Sequence, residues 1–408
     1  MNIERPSESW SDYQLIDSGG FEKLERFGRY TMIRPEPKAL WDKALPASEW
    51  KRRAQTAFTP GAGFSKAGKE DSGVWTMLGR MQEQWNISYR LPAVNDGTLR
   101  GETAPDMGAG TVPGDDTRST DAGAVLGGET CRADAGVVRG SDARSMGAGK
   151  VRDRAAACKN AVAVGNESID ADTSRTLLIG LPDTATAGIL SEFGGAELRL
   201  RLGLTAFKHV GVFPEQAPNW DFIYRQVARL RANNAKMGET RPPRVLNLFA
   251  YTGAASLAAR AAGADVTHLD SVRQVVTWAR HNMEISSLDG IRWTIDDALK
   301  YVTRQVRRGA SFDGIILDPP AYGRGPDGER WKLDECLNDI LKGCAQILAP
   351  MNSFLVLNLY SNGYSAMLAD TLVACAFGPA GRRTSGELVL RDDFGRILPL
   401  SVYTRLER

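Results

Sequence analysis

The sequence predicts an α/β protein. Its C-terminal half reads as a doubly wound, mostly parallel sheet, preceded by a smaller, mostly β domain and interrupted by a flexible insertion. Three observations predict this. From Arg244 onward, short apolar runs alternate with amphipathic stretches of helical length. Before residue 90, aromatic side chains crowd together. Between Arg90 and Glu192 there is no Phe, Trp or Tyr in 103 residues, where an even spread would place about eight.

Composition narrows the class. The 408 residues are 42% hydrophobic and 25% charged, which excludes a collagen-like or fully disordered chain. No run of eighteen apolar residues offers a membrane span. The opening Met1-Asn2-Ile3-Glu4-Arg5-Pro6 has no apolar segment behind its charges, so export is not expected. A net charge of +2 does not mark a nucleic-acid binder, so any basic surface must be local. Five widely spaced cysteines without a C-x-x-C, and only three histidines, argue against structural zinc and predict no metal. A reducing, cytoplasmic compartment fits them best.

Each element follows from local pattern. Residues 1–93 read as the first part of the small β-rich domain. There Arg29–Arg34 forms a short strand stopped by Pro35, and Trp85–Leu91 alternates apolar and polar side chains. Residues 94–187 read as a largely disordered insertion: 101–170 holds twelve Gly and thirteen Ala without a fixed period, too little apolar surface to offset ordering. A small Ala-rich helical unit around Val151–Val164 is the alternative there. Residues 188–242 complete the domain. Ala196–Leu202 alternates like Trp85–Leu91, so the two are expected to pair with the insertion hung from their hairpin end, and Phe222–Asn234 reads as a linker helix. Residues 243–408 carry the sheet: strands Val245–Ala250, Asp265–Leu269, Ile291–Ile295, Phe312–Leu317 and Phe354–Leu359 with helices between, then a hairpin near Glu387–Leu390 and Ile397–Thr404.

Ligands of such sheets lie at the carboxyl ends of the strands. The first strand runs out into Asn247-Leu248-Phe249-Ala250-Tyr251-Thr252-Gly253. A dinucleotide turn needs three glycines so that backbone can approach a pyrophosphate; with Gly253 alone, this turn suits a ligand without pyrophosphate, such as a sulfonium nucleoside. An ordinary strand-to-helix turn would read the same. Asp270 ends the second strand, where a carboxylate accepts ribose hydroxyls or caps the next helix. The third ends in Asp296-Asp297-Ala298, where a carboxylate accepts an adenine amino group, either Asp caps the next helix, or both hold at once. After the fourth strand comes Asp318-Pro319-Pro320-Ala321-Tyr322-Gly323-Arg324. Two prolines fix the backbone, so Asp318 and the following carbonyls are placed to accept from a planar amino-bearing substrate stacked on Tyr322.

With these residues in view, the chain resembles the class I S-adenosylmethionine-dependent methyltransferases, and within them the bacterial large-subunit rRNA methyltransferases. That family shares L-x-L-F-x-Y-T-G, a strand-end Asp and D-P-P-x-[FY]; Phe213-Pro214-Glu215-Gln216 resembles its linker. Gly211–Gln216 and Arg244–Leu359 carry the match, roughly a third of the chain. The resemblance implies a Rossmann-like, seven-stranded methyltransferase sheet and S-adenosyl-L-methionine as cofactor. It also implies that Asn247, Phe249, Tyr251, Thr252, Gly253, Asp270 and Asp297 hold that cofactor while Gln216 caps it. Asp318, Pro319 and Tyr322 would face the substrate.

One departure bears on the chemistry. Family members that methylate cytosine C5 carry a nucleophilic cysteine after the fifth strand, because that carbon needs thiolate addition to become reactive. Here the place reads Asn358-Leu359-Tyr360-Ser361-Asn362, and Cys336 and Cys344 on one helix read as packing residues. Methylation of a nitrogen is therefore favoured, needing positioning and a route for the proton. Asp318 is the candidate to orient the base or take the proton, with Asn358 beside it. Lys208, His209, Arg324, Arg330 and Lys332, with Trp331 among them, would meet RNA phosphates and unstacked bases; a solvated loop with Trp331 tucked inward is the competing reading. Structured RNA, most simply ribosomal, is the expected partner. A small-molecule or protein substrate, or an RNA-binding protein with a degenerate cofactor pocket, are the alternatives. An NAD-dependent oxidoreductase lacks two of its three glycines.

Overall fold

The computed structural model describes residues 2–61, 73–94, 194–360 and 363–408. The chain starts with a short strand, β1 (Asn2–Glu4), then builds a five-stranded sheet from β2 (Tyr13–Gly19), β3 (Glu22–Phe27), β4 (Tyr30–Pro35), β5 (Thr56–Pro60) and β6 (Gly73–Met77), with helix α1 (Ala47–Arg53) between β4 and β5. Gly20 and Phe21 turn β2 into β3 with φ of 58° and 63°, the left-handed pair that suits a tight hairpin.

β7 (Gln84–Arg90) and β8 (Glu197–Gly203) pair antiparallel with Arg90 opposite Glu197, as their shared alternation predicts. Trp85, Ile87, Tyr89, Leu198, Leu200 and Leu202 are buried on one face. The other side of β8 is tied to the C-terminal half: Asn282 Oδ1 accepts from the Arg201 amide at 2.8 Å, and Trp278 Nε1 donates to the Arg201 carbonyl at 2.8 Å. The hairpin thus bridges the two halves rather than merely completing the first. Val94, expected to open the insertion, is 4% exposed and belongs to the core. The rest of the expected insertion, including Val151–Val164, lies outside the described residues.

Helix α2 (Ala217–Lys236) begins five residues earlier than its apolar pattern suggests. A 3-10 turn over Pro214–Gln216 feeds it, and Pro218 sits in its first turn, where a missing N–H costs nothing. The large sheet then forms from β9 (Arg244–Leu248), β10 (Asp265–Asp270), β11 (Arg292–Ile295), β12 (Gly314–Leu317), β15 (Phe354–Tyr360), β16 (Arg382–Arg391) and β17 (Ile397–Glu407). Intervening helices are α3 (Ala254–Ala261), α4 (Arg273–Ile285), α5 (Ala298–Arg307), α6 (Leu333–Ile347) and α7 (Ala366–Phe377), while β13 (Tyr322–Arg324) and β14 (Arg330–Lys332) form a small hairpin after β12. α2 and α3 pack on one face of the sheet, α5, α6 and α7 on the other. This is the doubly wound arrangement.

The strand order is β1-β16-β17-β15-β12-β9-β10-β11. Seven of these were expected; the eighth, β1, comes from the other end of the chain and pairs parallel with β16. It fits because residue 386 is glycine: a Cβ there would stand 2.0 Å from the Asn2 carbonyl oxygen. β9 and β12 are neighbours, so the turns after them face each other across the sheet's carboxyl edge.

Candidate active site

The loop after β9 is folded against its own side chains. Phe249 and Tyr251 have φ of 55° and 50°, and Gly253 has 94°. Left-handed backbone at two bulky residues costs about 1–3 kcal/mol each and persists where the surroundings overdetermine it. Here they do. The Tyr251 amide donates to Asp270 Oδ2 at 3.0 Å, Thr252 Oγ1 donates to the Gly211 carbonyl at 2.6 Å, and Asn282 Nδ2 donates to the Thr252 carbonyl at 2.9 Å. A Cβ on residue 253 would meet that of Ala279 at 3.0 Å, so glycine serves both φ and packing. The rings turn outward from the loop: Phe249 onto Trp331 at 4.6 Å and Tyr251 onto Phe213 at 5.3 Å between centroids.

Opposite this loop stands Asp318. Asn358 Nδ2 donates to its Oδ1 at 2.7 Å and Gln216 Nε2 to its Oδ2 at 3.3 Å. Burial pushes its carboxyl up to about 6, opposed by the Asn358 hydrogen bond. One cavity is lined by Phe213, Gln216, Asn247, Phe249, Tyr251, Thr252, Gly253, Asp318 and Asn358, with Val212, Ala254, Ala255 and Ile316 as apolar walls. Among its described lining residues there is no Lys, Arg or Cys. Asn358 Oδ1 is buried without a hydrogen-bond partner, so it offers a second acceptor beside the carboxylate.

The structure therefore gathers Gln216, Asn247, Phe249, Tyr251, Thr252, Gly253, Asp318 and Asn358 around one space. Asn247 lines it while giving its Nδ2 to Ser256 at 2.9 Å. Asp270 is one hydrogen bond away: Oδ2 takes the Tyr251 amide, and Oδ1 takes the Val272 amide at 3.0 Å where α4 begins. Asp297 caps α5, its Oδ1 accepting from the Lys300 amide at 2.8 Å, and does not line the cavity. Pro319 is buried behind Asp318, and Tyr322 stands 47% exposed on β13.

The basic mouth differs from expectation. Trp331 is only 3% exposed, so it presents no ring to RNA; its Nε1 donates to the Pro320 carbonyl at 2.7 Å and its ring packs on Phe249. The β13–β14 register turns it inward, which corrects the exposed reading. Arg324 and Arg330 are exposed register partners on that hairpin. Lys332 is drawn toward Glu335, 2.5 Å away, rather than toward the mouth. Lys208 gives its carbonyl to Arg34 at 3.1 Å, and the His209 ring lies 5.0 Å from Phe213.

Two participants escaped sequence reasoning. Tyr360, at the tip of β15, faces Phe213 at 6.0 Å and lies under the Lys38 ammonium at 5.2 Å; its strand-tip position was the available signal. Asn219 donates to Gln216 Oε1 at 2.8 Å, a contact legible as an i, i+3 pair at a helix start. Other polar groups are structural. His268 is wholly buried and held neutral, its pKa pushed down to about 3 by burial. Burial pushes the Cys344 thiol up to about 12, as for a packing residue. Among the described residues no cluster of His, Cys, Asp or Glu forms a metal site, and no helix is long and apolar enough to cross a membrane.

A cavity whose described lining holds one carboxylate, one unpartnered amide oxygen, apolar walls and no cation fits a positively charged sulfonium nucleoside better than a pyrophosphate. Comparisons with known proteins agree. The chain is 27% identical over 180 residues to the ribosomal RNA large subunit methyltransferase K/L of Shewanella frigidimarina, covering 43% of this chain and 23% of that one. It is 34% identical over 143 residues to the ribosomal RNA large subunit methyltransferase I of Shewanella amazonensis, covering 34% and 35%. It thus spans about a quarter to a third of the length of these relatives. The crystal structure of a SAM-dependent methyltransferase from Agrobacterium tumefaciens superposes with a TM-score of 0.64 at 29% identity, over all of this chain and 93% of that one. Residues 193–373 match the family model of S-adenosylmethionine-dependent methyltransferases, and the chain carries a methyltransferase domain of that family.

Proposed function

We propose that the protein methylates an amino nitrogen on a base of ribosomal RNA, with S-adenosylmethionine as donor and without a cysteine nucleophile. The observation that carries this reading is the pair of acceptors at the cavity's end: the Asp318 carboxylate, held by two amide donors, and the unpartnered Asn358 Oδ1. An amino group has two N–H donors to offer them. A thiol is what C5 chemistry requires, and the described lining holds none.

The loop of Phe249, Tyr251, Thr252 and Gly253 would hold the cofactor, Asp270 and Asp297 its nucleoside, and Gln216 would close over it. When bound, S-adenosylmethionine supplies an electrophilic methyl group. Asp318 accepts a hydrogen bond from the amino group, aligns the nitrogen lone pair, and takes the proton that the nitrogen sheds as it gains the methyl. A carboxyl lifted to about 6 is a stronger base than a free one while still ionised at neutral pH. Tyr322 would stack on the base, and Arg324, Arg330 and Lys208 would meet phosphates. The rRNA relatives favour RNA, and with it the cytoplasm, over a small molecule or protein.

The test is transfer of radiolabelled methyl from S-adenosylmethionine to ribosomal RNA, to total protein and to small metabolites, side by side. Label in RNA, abolished in Asp318→Ala, is expected. Label confined to protein or metabolites would replace RNA as the substrate, and tight NAD binding with no response to S-adenosylmethionine would overturn the cofactor.

A further inference from the structure

Behind Asp318 runs a polar chain that ends at the far edge of the sheet. Arg405, on β17, is 5% exposed and sits against the rings of Phe222 and Tyr403 at 4.7 and 4.3 Å. Its Nη1 and Nη2 donate to the two carboxylate oxygens of Glu4 at 2.9 and 2.8 Å. Its Nε and Nη2 also donate to Asn219 Oδ1, at 3.0 and 2.8 Å. Asn219 Nδ2 donates to Gln216 Oε1, and Gln216 Nε2 donates to Asp318 Oδ2.

The direction of this chain is fixed at one end. A guanidinium has donors and no acceptor, so the Asn219 atom facing it must be oxygen. The amide nitrogen is then left to face Gln216, which must answer with its own oxygen. The Gln216 amino group is thereby turned to Asp318. Two amides that would otherwise be free to flip are thus set by Arg405.

We infer that Asn219 and Arg405 are positioning residues that dictate the polarity of the Gln216 amide, keeping an N–H donor on Asp318 so that its remaining lone pairs receive a donor group from the substrate. Without that constraint Gln216 can turn its oxygen to the carboxylate, and the repulsion favours the protonated acid. The relay therefore selects a substrate that presents an N–H at this point over one that presents a ring nitrogen or carbonyl. This consequence for substrate choice rests on the methyl-transfer reading; the relay itself does not. Besides Asp318, the ionisable group on the described lining of the cavity is Tyr251, so the rise that burial imposes on Asp318 is opposed there by amide donors, from Asn358 and Gln216, and not by a cation.

The experiment is a pH titration of Asp318 by carboxyl-13C NMR on the full chain, the resonance identified by its loss in Asp318→Asn. Wild type is compared with Asn219→Leu, Gln216→Leu and the double variant. Loss of one charge-assisted hydrogen bond should raise the midpoint by about one pH unit in Gln216→Leu. The inference expects Asn219→Leu to give at least half that rise and the double variant to add nothing to Gln216→Leu. An unmoved midpoint in Asn219→Leu, or additive shifts in the double variant, overturns it. Should leucine prevent folding, Asn219→Ala is read by the same criteria. Because no methyl acceptor is present, a failed substrate assignment leaves this titration meaningful. With RNA as substrate, the acid limb of the pH–rate profile should move by the same amount in Asn219→Leu.

Discussion

Glu25 in the N-terminal sheet and Asp318 at the strand tips are both enclosed carboxylates, and they are treated in opposite ways. Desolvation is the largest influence on each and pushes each up. At Glu25 it is outweighed by Arg34, at 2.7 Å, then by Lys23, at 3.5 Å, and by the Tyr13 hydroxyl at 2.8 Å, so the group titrates below its usual range. Among the described residues Asp318 has amides for partners, and it titrates near 6. Cations turn a buried carboxylate into a fixture of the fold. Amides hold it in place while leaving it able to exchange a proton.

The contrast can be broken in several ways. Asp318→Ala should lower methyl transfer by about 10²- to 10⁴-fold with little change in thermal melting; a collapse of the fold would make Asp318 a structural residue like Glu25. Arg34→Met strands Glu25 without its main partner and should cost about 3–5 kcal/mol of stability in urea unfolding. A loss within experimental noise would mean that Lys23 alone suffices.

Glu215 sharpens the comparison from within the N-terminal cluster. Glu215 shares this cluster with Glu25, Glu36, Lys23 and Lys38, and is 1% exposed, with Oε1 unpartnered and its pKa pushed up to about 7 by burial against the pull of Lys23. Its folded value lies above its ordinary 4.5, so the folded state binds the extra proton between about 4.5 and 7. Stability should therefore fall as pH rises through that window, by at most about 3 kcal/mol. Glu215→Gln should remove that slope, as urea midpoints at pH 5 and pH 8 would show. The smallest effect is expected at Asp297. Its loss to alanine costs about 1 kcal/mol as a helix cap. If its second oxygen also holds the nucleoside, calorimetry should find affinity for S-adenosylmethionine about tenfold weaker.

The large sheet was legible because strands buried on both faces read as unbroken apolar runs: Ile315-Ile316-Leu317 and Phe354–Leu359 announce themselves. β2 and β3 did not, because Asp17, Ser18, Lys23 and Glu25 are buried polar residues that erase the alternation a half-buried strand should show. At the site, Asp318, Asn358 and Gly253 could be found because the end of a parallel strand is a predictable place. Arg405 could not. It meets Asn219 across 186 residues, through a pairing that only the closed sheet creates. Trp331 was misplaced for a related reason: a carbonyl of the double-proline turn pulls its indole inward, and no local pattern records that bond.

The most direct measurement is mass spectrometry of nucleosides from ribosomal RNA treated with the purified protein and S-adenosylmethionine. A base newly methylated on an amino nitrogen is the expected product. A methyl group on C5 of cytosine, or RNA returned unmodified while the cofactor binds, would contradict the account.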